Sequence, residues 1–324
     1  MKSAGVFLQK PGNHSGQNPP HAACLNNTAS LLSNNVYAMK ITGRCYTIMH
    51  HTLIRLCLMV LLPTSLSAEP LFDAHLHYNA TDATQYSPQQ IIARLERNGI
   101  SHAVVSGTPA AHTASLYRQA PGRIVPLLSV YRSHDDKTAW MDDATLPERV
   151  EDELNKGSWR GIGELHIFAS DRHSPVFRRI IEIAAQRRLP LQIHADPAVI
   201  DTLYDISPSQ PVIWAHAGTF PYPDLLADYL QRYPALSIDL SVRDDRIAPD
   251  GQISDDWYGL FNRFPDRFMV GVDTFSLSRW QHFDAAVATI RHWLAQLPDD
   301  VAKRLAYDNA AAFFGQSDDD KENQ

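Results

Sequence analysis

Leu71-Phe72-Asp73-Ala74-His75-Leu76-His77 is the stretch on which the reading of this chain turns. It reads as a β-strand, and successive side chains on a strand point to opposite faces. Asp73, His75 and His77 are therefore expected on one face, with both imidazoles at the C-terminal end. Neutral imidazole is the commonest metal ligand, and two histidines one residue apart reach the same ion only where the chain is extended. Taken alone, a His-x-His is more often a pair of surface histidines, so the remainder of the chain has to decide.

Downstream, short apolar runs alternate with longer helical patterns, which is the signature of βα units around a parallel sheet. The strand candidates are 71–77, 103–106, 124–130, 161–166, 191–194, 212–216, 236–240 and 268–273. Helical stretches lie between them, such as 88–98 with Ile91, Ile92 and Leu95 on one face, and 175–187 with Val176, Ile180, Ile183 and Ala184. Ser87-Pro88 and Ser174-Pro175 supply a capping hydroxyl followed by a residue with no N–H to leave unsatisfied. A helix pair at 280–297 and 300–307 leads into Asn309-Ala310-Ala311-Ala312-Phe313-Phe314-Gly315. No repeat or linker interrupts 69–315, so one α/β domain is expected, a closed (β/α)8 TIM barrel in preference to an open doubly wound sheet.

The first 68 residues stand apart. They hold five of the 29 basic residues and none of the 36 acidic ones, and 1–38 is polar without periodicity, a composition that cannot bury a core. An apolar region at about 53–66, led in by Met49-His50-His51 and closed by Ser67-Ala68, reads as a secretory signal peptide cleaved after Ala68. Its apolar run is short of the roughly 20 residues that a helix needs to span a bilayer. An uncleaved anchor or a core helix is the alternative. A signal placed so far into the chain points to initiation at Met39 or Met49, and the expected location is periplasmic or secreted.

Removing that segment leaves about 250 residues, the usual size of a (β/α)8 barrel. It also removes all 3 cysteines, Cys24, Cys45 and Cys57, which excludes disulfides and thiolate metal sites from the mature chain. What remains carries 24 basic against 36 acidic residues, a charge of −12, which argues against nucleic acid as a partner. No membrane association is expected after cleavage, a homo-oligomer stays open, and the polar tail 316–324 is expected to be disordered.

Chemistry in a (β/α)8 barrel sits where the strands end. The first strand ends in His75 and His77, the fourth in Glu164 and His166, the fifth in His194, the sixth in His216 and the eighth in Asp273. Each otherwise apolar run closes on a residue able to bind a metal, and that concurrence favours the metal reading over ordinary histidines. His75, His77, His194 and Asp273 would give one divalent ion a nitrogen-rich site with room for water, which suits zinc ahead of manganese or iron.

On these residues the chain resembles the amidohydrolase superfamily of metal-dependent hydrolases, over essentially all of 69–315. The matching points are Asp73-Ala74-His75-Leu76-His77, His194, Trp214-Ala215-His216-Ala217-Gly218, Gly271-Val272-Asp273 and the closing 309–315. The closing segment is most similar to the branch with aminocarboxymuconate semialdehyde decarboxylase-like and dicarboxylate lactonase-like proteins. Glu164, in Gly161-Ile162-Gly163-Glu164-Leu165-His166, resembles instead the bridging glutamate of TatD-like hydrolases. With no lysine there, the carbamylated-lysine bridge of phosphotriesterase-like members is closed to this chain. If Glu164 bridges and His194 and His216 serve a second ion, the site is binuclear; otherwise Glu164 is a buried carboxylate bonded to loop backbone.

The expected activity is hydrolysis of a small-molecule ester, lactone, amide or related bond. Asp273 would be a metal ligand and the proton acceptor, and His216 either a ligand or a donor to the developing oxyanion. Substrate contacts are expected from Arg132 and His134 after the third strand, His166 and His173 after the fourth, and Arg243 after the seventh. An arginine can grip a carboxylate bidentately, although surface ion pairs are its commoner fate. The competing readings are a decarboxylase of a small carboxylic acid on the same metal, and a non-catalytic binding protein, which would have lost ligands. The substrate itself is not legible, because specificity lives in loop geometry.

Overall fold

Eight parallel strands follow one another in chain order around a ring in the computed structural model, which describes residues 69–316. They are β1 (Leu71–Leu76), β2 (Ile100–Val105), β3 (Ile124–Leu128), β4 (Gly161–Ile167), β5 (Leu191–Ala195), β6 (Val212–Trp214), β7 (Leu236–Asp239) and β8 (Phe268–Met269). Each pairs in parallel with its sequence neighbour. Ala74 N donates to Val270 O at 2.9 Å and Asp273 N to His75 O at 2.8 Å, which joins the end of the barrel to its beginning. The expected (β/α)8 TIM barrel is what forms. The expected signal peptide within 1–68 and all but the first residue of the expected disordered tail lie outside the described residues.

The helices between strands start where their capping residues place them. Ser87 accepts from Gln90 N ahead of helix Pro88–Arg97, and Ser174 accepts from Val176 N and Phe177 N ahead of Pro175–Arg187, with proline in the first turn of each. The stretch 280–297 divides into Leu277–Gln281 and Phe283–Leu294, and 300–307 into Asp299–Lys303 and a π turn, Arg304–Asp308, continuous with Asn309–Phe314. Among the described residues no helix is long and apolar enough to cross a membrane.

β6 and β8 stop short of the ligands that sequence places on them, at Trp214 and Met269. The cause is backbone conformation. His216 has φ 58° and Asp273 φ 54°, left-handed values that leave the extended ladder, so both side chains are carried on turns just beyond it.

Apolar side chains form two layers. Phe72, Ala74, Val104, Val125, Leu127, Ile213 and Met269 line the barrel interior, and Leu71, Leu76, Val105, Ile124 and Leu128 belong to the larger layer beneath the helices. β1 therefore changes which face turns inward. Its pairing with β2 slips between Asp73 and Leu76, where three steps on β1 meet two on β2, and this irregularity turns His75 and His77 towards the mouth above Phe72 and Ala74. Tyr307, Ala310, Ala311 and Phe314 plug the opposite end, with the Phe314 ring 6.2 Å from that of Phe72 and its carbonyl held by Arg160 Nη2 at 2.6 Å.

Because the plug lies at the far end of β1 from the histidines, stability and site can be separated. Phe314→Ala should lower the unfolding free energy by about 3–5 kcal/mol, the usual range for a phenylalanine truncated in a core. Urea unfolding midpoints check this, and metal binding by the folded variant should stay at the wild-type level.

Candidate metal centre

His75 and His77 each have one ring nitrogen spoken for, and this fixes what the other offers. His75 Nδ1 donates to Asp239 Oδ2 at 2.7 Å and His77 Nδ1 donates to the Ser106 carbonyl at 2.7 Å. A carboxylate and a carbonyl only accept, so both Nδ1 atoms carry hydrogen and both Nε2 atoms face inward as ligands. The two Nε2 atoms stand 3.2 Å apart. Glu164 Oε2 lies 3.7 Å from the first and 3.4 Å from the second, and Asp273 Oδ1 lies 3.9 and 3.3 Å away. His75, His77 and Glu164 thus bring three lone-pair donors together, and Asp273 Oδ1 stands within 3.9 Å of both histidine nitrogens, buried without a hydrogen-bond partner. Tetrahedral ligands with bonds of about 2.0–2.1 Å are separated by roughly 3.3–3.4 Å, so this donor set fits a divalent cation.

A second donor set shares Glu164. Its Oε1 is 3.1 Å from His216 Nε2 and 3.2 Å from His194 Nδ1, and its Oε2 is 2.8 Å from His166 Nε2. The His166 and His194 rings stack with centroids 4.6 Å apart, side by side on paired positions of β4 and β5. His216 Nδ1 is held by Ser241 Oγ at 2.8 Å, and Asp273 Oδ2 lies 3.6 Å from His216 Nε2. Glu164 thus stands between two sets of imidazoles, and its own backbone N is held by Ser106 Oγ at 3.0 Å.

The charges agree with a cation site. Burial alone would raise the Glu164 carboxyl, but positive charge on His166 and His75 and hydrogen bonds from His166 and His194 hold it well below the usual carboxylate range. Burial alone would lower His75, but Asp239, Asp273 and Glu164 push it well above the ordinary imidazole value. With no ion bound, a proton on His75 takes up the negative charge of its neighbours. Asp73 differs: burial raises it to about 7, and its Oδ1 accepts from His75 N and Val272 N at 3.1 Å, so it ties β1 to the turn after β8 and does not share a face with the ligands.

The residues expected to touch substrate divide. His166 joins the cluster. Arg132 does not; it is exposed and paired with Asp136 at 3.1 Å, and His173 and His134 are exposed on their loops. Arg243 turns to the backbone, donating to the His216 carbonyl at 2.6 Å and that of Gly218 at 3.1 Å, which braces the left-handed turn of the sixth strand's ligand. Sequence reading passed over Asp239, Ser106 and Ser241, which orient the ligands, and Lys137, whose Nζ lies 3.3 Å from His166 Nε2. Asp239 carried a signal, a carboxylate within the apolar run of β7; the other three carried none.

The fold and these donors together give a (β/α)8 barrel whose mouth carries a buried histidine–carboxylate cluster fit for divalent metal. The profile of the family described as TatD related DNase matches residues 72–214, from β1 through β6, a little under half of the chain. Among solved structures, a TatD homologue from Escherichia coli K12 is 12% identical with a TM-score of 0.55, over 77% of this chain and 99% of that one. An amidohydrolase from Burkholderia multivorans with bound HEPES is 15% identical with a TM-score of 0.51, over 76% and 99%. A TatD-family hydrolase from Entamoeba histolytica is 10% identical with the same score and the same shares. At such identities these likenesses speak for the fold. A comparison with curated proteins gave no match.

Two outcomes follow for the ligands. Asp239→Asn keeps the shape beside His75 and removes the charge that orients and polarises it, so divalent-ion affinity should fall about 10- to 100-fold in chelator competition. Because His75 is protonated in the ion-free site at neutral pH and must lose that proton to ligate, ion binding should release protons, and affinity should rise with pH up to the raised value of His75 and level off above it. Calorimetry in buffers of differing ionisation enthalpy counts the protons; a count of zero at neutral pH would mean that His75 is already neutral before the ion binds.

Proposed function

We propose that this protein is an exported hydrolase that holds two divalent ions, zinc on the chemistry of the donors, on either side of Glu164 and cleaves a small-molecule ester, lactone, amide or related bond. The observation that carries this reading is the place of Glu164 between two sets of imidazoles, with His75 and His77 at 3.7 and 3.4 Å from Oε2 on one side, and on the other His166 at 2.8 Å from Oε2 and His194 and His216 at 3.2 and 3.1 Å from Oε1. Asp273 stands beside both sets, Oδ1 3.3 Å from His77 Nε2 and Oδ2 3.6 Å from His216 Nε2. Ions bound there supply an activated water, with its pKa lowered from about 15.7 towards 7, and a Lewis acid for the oxygen under attack.

The protein's own groups do the rest. Asp273 would ligate through Oδ1 and accept the proton through Oδ2, and the turn that carries it is fixed by Asp273 N on His75 O and by Arg279 on the Val272 and Asp273 carbonyls at 2.6 and 3.4 Å. The proton it takes from water passes to the leaving group. His216 serves as ligand in this arrangement, since its Nε2 faces Glu164. On the β3 and β4 side, the Lys137 ammonium is placed to meet negative charge on a substrate.

Decarboxylation is the second reading, and its support is the likeness of 309–315 to the decarboxylase and lactonase branch. That segment plugs the barrel at the end away from the ligands, so the likeness bears on packing and leaves the chemistry open. The family description names DNases, whereas the −12 charge of 69–324 opposes a polyanion.

The test is metal analysis of protein from the extracytoplasmic fraction, followed by assay of lactones, amides, esters, phosphoesters, oligonucleotides and small carboxylic acids with carbon dioxide detection. Two ions per chain with hydrolytic product support the reading; carbon dioxide release or a single ion overturns the corresponding part. Asp273→Asn should then lower turnover at saturating metal by about 10²- to 10⁴-fold, the scale of general-base loss. A variant within a few-fold of wild type would make the carboxylate a spectator.

A further inference from the structure

The large apolar side chains exposed on the described surface are Phe168, Phe220, Tyr222, Tyr258 and Phe275, and four of these five belong to segments that follow barrel strands. Phe168, 49% exposed, comes directly after β4 and two residues past His166. Phe220 and Tyr222, 47% and 60% exposed, lie in the turn after His216, and Phe275, 57% exposed, is two residues past Asp273. Segments after the strands of a (β/α)8 barrel gather at one end, so these four residues are carried at the end of the barrel that holds the metal ligands. Scattered exposed apolar residues need no explanation, but a concentration of them around a polar centre marks a binding surface.

The rings are set on fixed backbone. Tyr222 N donates to the Phe220 carbonyl at 2.8 Å, and the two rings are nearly parallel, 11° apart with centroids at 6.5 Å. Beside Phe168, Ala169 N donates to Asp196 Oδ2 at 2.8 Å and Asp171 N to the Phe168 carbonyl at 2.9 Å. Phe275 follows Thr274, whose buried hydroxyl is bonded to both His77 N and His77 O. The backbone that presents these rings is already ordered, and an aromatic side chain has only two χ angles to fix on binding, which is how an exposed aromatic surface contributes affinity.

We propose that Phe168, Phe220, Tyr222 and Phe275 form a specificity rim that selects substrates bearing a planar apolar group, such as aryl esters, aryl amides or aryl-substituted lactones, and holds that group over the metal centre. This rests on the hydrolase reading above. A small aryl compound fits better than single-stranded nucleic acid, which needs cations along its phosphates as well as rings for its bases. Within 167–174, 217–223 and 274–280 the formal charges are Asp171, Arg172 and Arg279 alone, and both guanidinium groups are bound to backbone carbonyls, of Ala169 and of Val272 and Asp273.

The experiment uses metal-loaded protein and two probes with the same headgroup, 2-naphthoate and cyclohexanecarboxylate, with affinities from calorimetry. Wild type should prefer 2-naphthoate, and Phe168→Ala, Phe220→Ala, Tyr222→Ala and Phe275→Ala should each cut that preference about two- to tenfold, the scale of one aromatic contact. Leucine at the same positions, retaining bulk without a ring, should cut it as well, and Tyr258→Ala on the outer helix Asp255–Arg263 should not. In parallel, 2-naphthyl acetate and ethyl acetate are compared as substrates, with the loss expected in KM for the naphthyl ester. Rim-dependent 2-naphthoate binding with no turnover of any ester would support the rim and count against the hydrolase reading. Turnover of both esters with a preference unmoved by all four alanine variants would overturn the rim alone. Rim variants that lose binding of oligothymidylate while keeping the 2-naphthoate preference would also overturn it, in favour of nucleic-acid bases as the occupant.

Discussion

The first and last strands of the barrel have to meet, and every other feature of the site depends on it. His77 and Thr274 are 197 residues apart in sequence, yet the Thr274 hydroxyl accepts from His77 N at 2.9 Å and donates to His77 O at 2.7 Å. Next to it, Asp273 N donates to His75 O, and Asp73 Oδ1 accepts from Val272 N. These bonds fix the histidine pair of β1 against the carboxylate that follows β8, and a metal ligand set requires such placement to within about 0.5 Å. The apolar interior beneath the seam, with Phe72 against the Phe314 plug, keeps the two ends of the barrel from separating.

The same seam concentrates charge that no protein buries without compensation. Glu164, Asp239 and Asp273 are almost fully buried, each within 3.9 Å of a His75 ring nitrogen, and an unpaired buried carboxylate costs several kcal/mol. Imidazoles provide the compensation. Burial would raise Asp239, but the His75 charge and hydrogen bond hold it at about 2, so it remains a carboxylate at any physiological pH. Asp239 then does for His75 what the Ser106 carbonyl does for His77 and Ser241 for His216: it occupies one nitrogen and directs the other inward. With His75 pushed up by the carboxylates around it, a cation taken up here displaces a proton, and the stability of the site is tied to whichever it holds.

Much of this was legible in the sequence, and the omissions have physical causes. Terminal residues of apolar runs pointed to His75, His77, Glu164, His194, His216 and Asp273, because a polar group at the end of a buried strand has to be satisfied by something. The face of Asp73 was misread because strict alternation assumes a regular ladder, and the slip against β2 reverses the parity of β1 between Ala74 and His75. Glu164 could have been a carboxylate bonded to loop backbone; its described partners are imidazoles. Ser106, Ser241 and Lys137 act from neighbouring strands and loops through contacts that have no fixed spacing in sequence. Arg132 and Arg243 illustrate the same limit, since nothing in a loop's composition says whether a guanidinium will turn to a carboxylate, a carbonyl or the mouth.

Strand geometry also explains why the ligands reach one point by different routes. A regular ladder sends side chains straight to one face or the other, so ligands from five segments converge only if some of them leave it. His166 and His194 remain in register on paired strands and stack. His75 is re-aimed by the irregularity in β1, while His216 and Asp273 adopt left-handed backbone, at about 1–3 kcal/mol for each non-glycine residue held there. Gly271 is what allows the last of these turns to pack. A Cβ at that position would come within 3.0 Å of His75 Cβ and 3.1 Å of both Asp239 Oδ1 and Ser241 Cβ, pressing on the pair that orients the first ligand. The glycine two residues before Asp273 therefore belongs to the site as much as the carboxylate does, since the backbone can bring Asp273 to His75 only where no side chain stands between them.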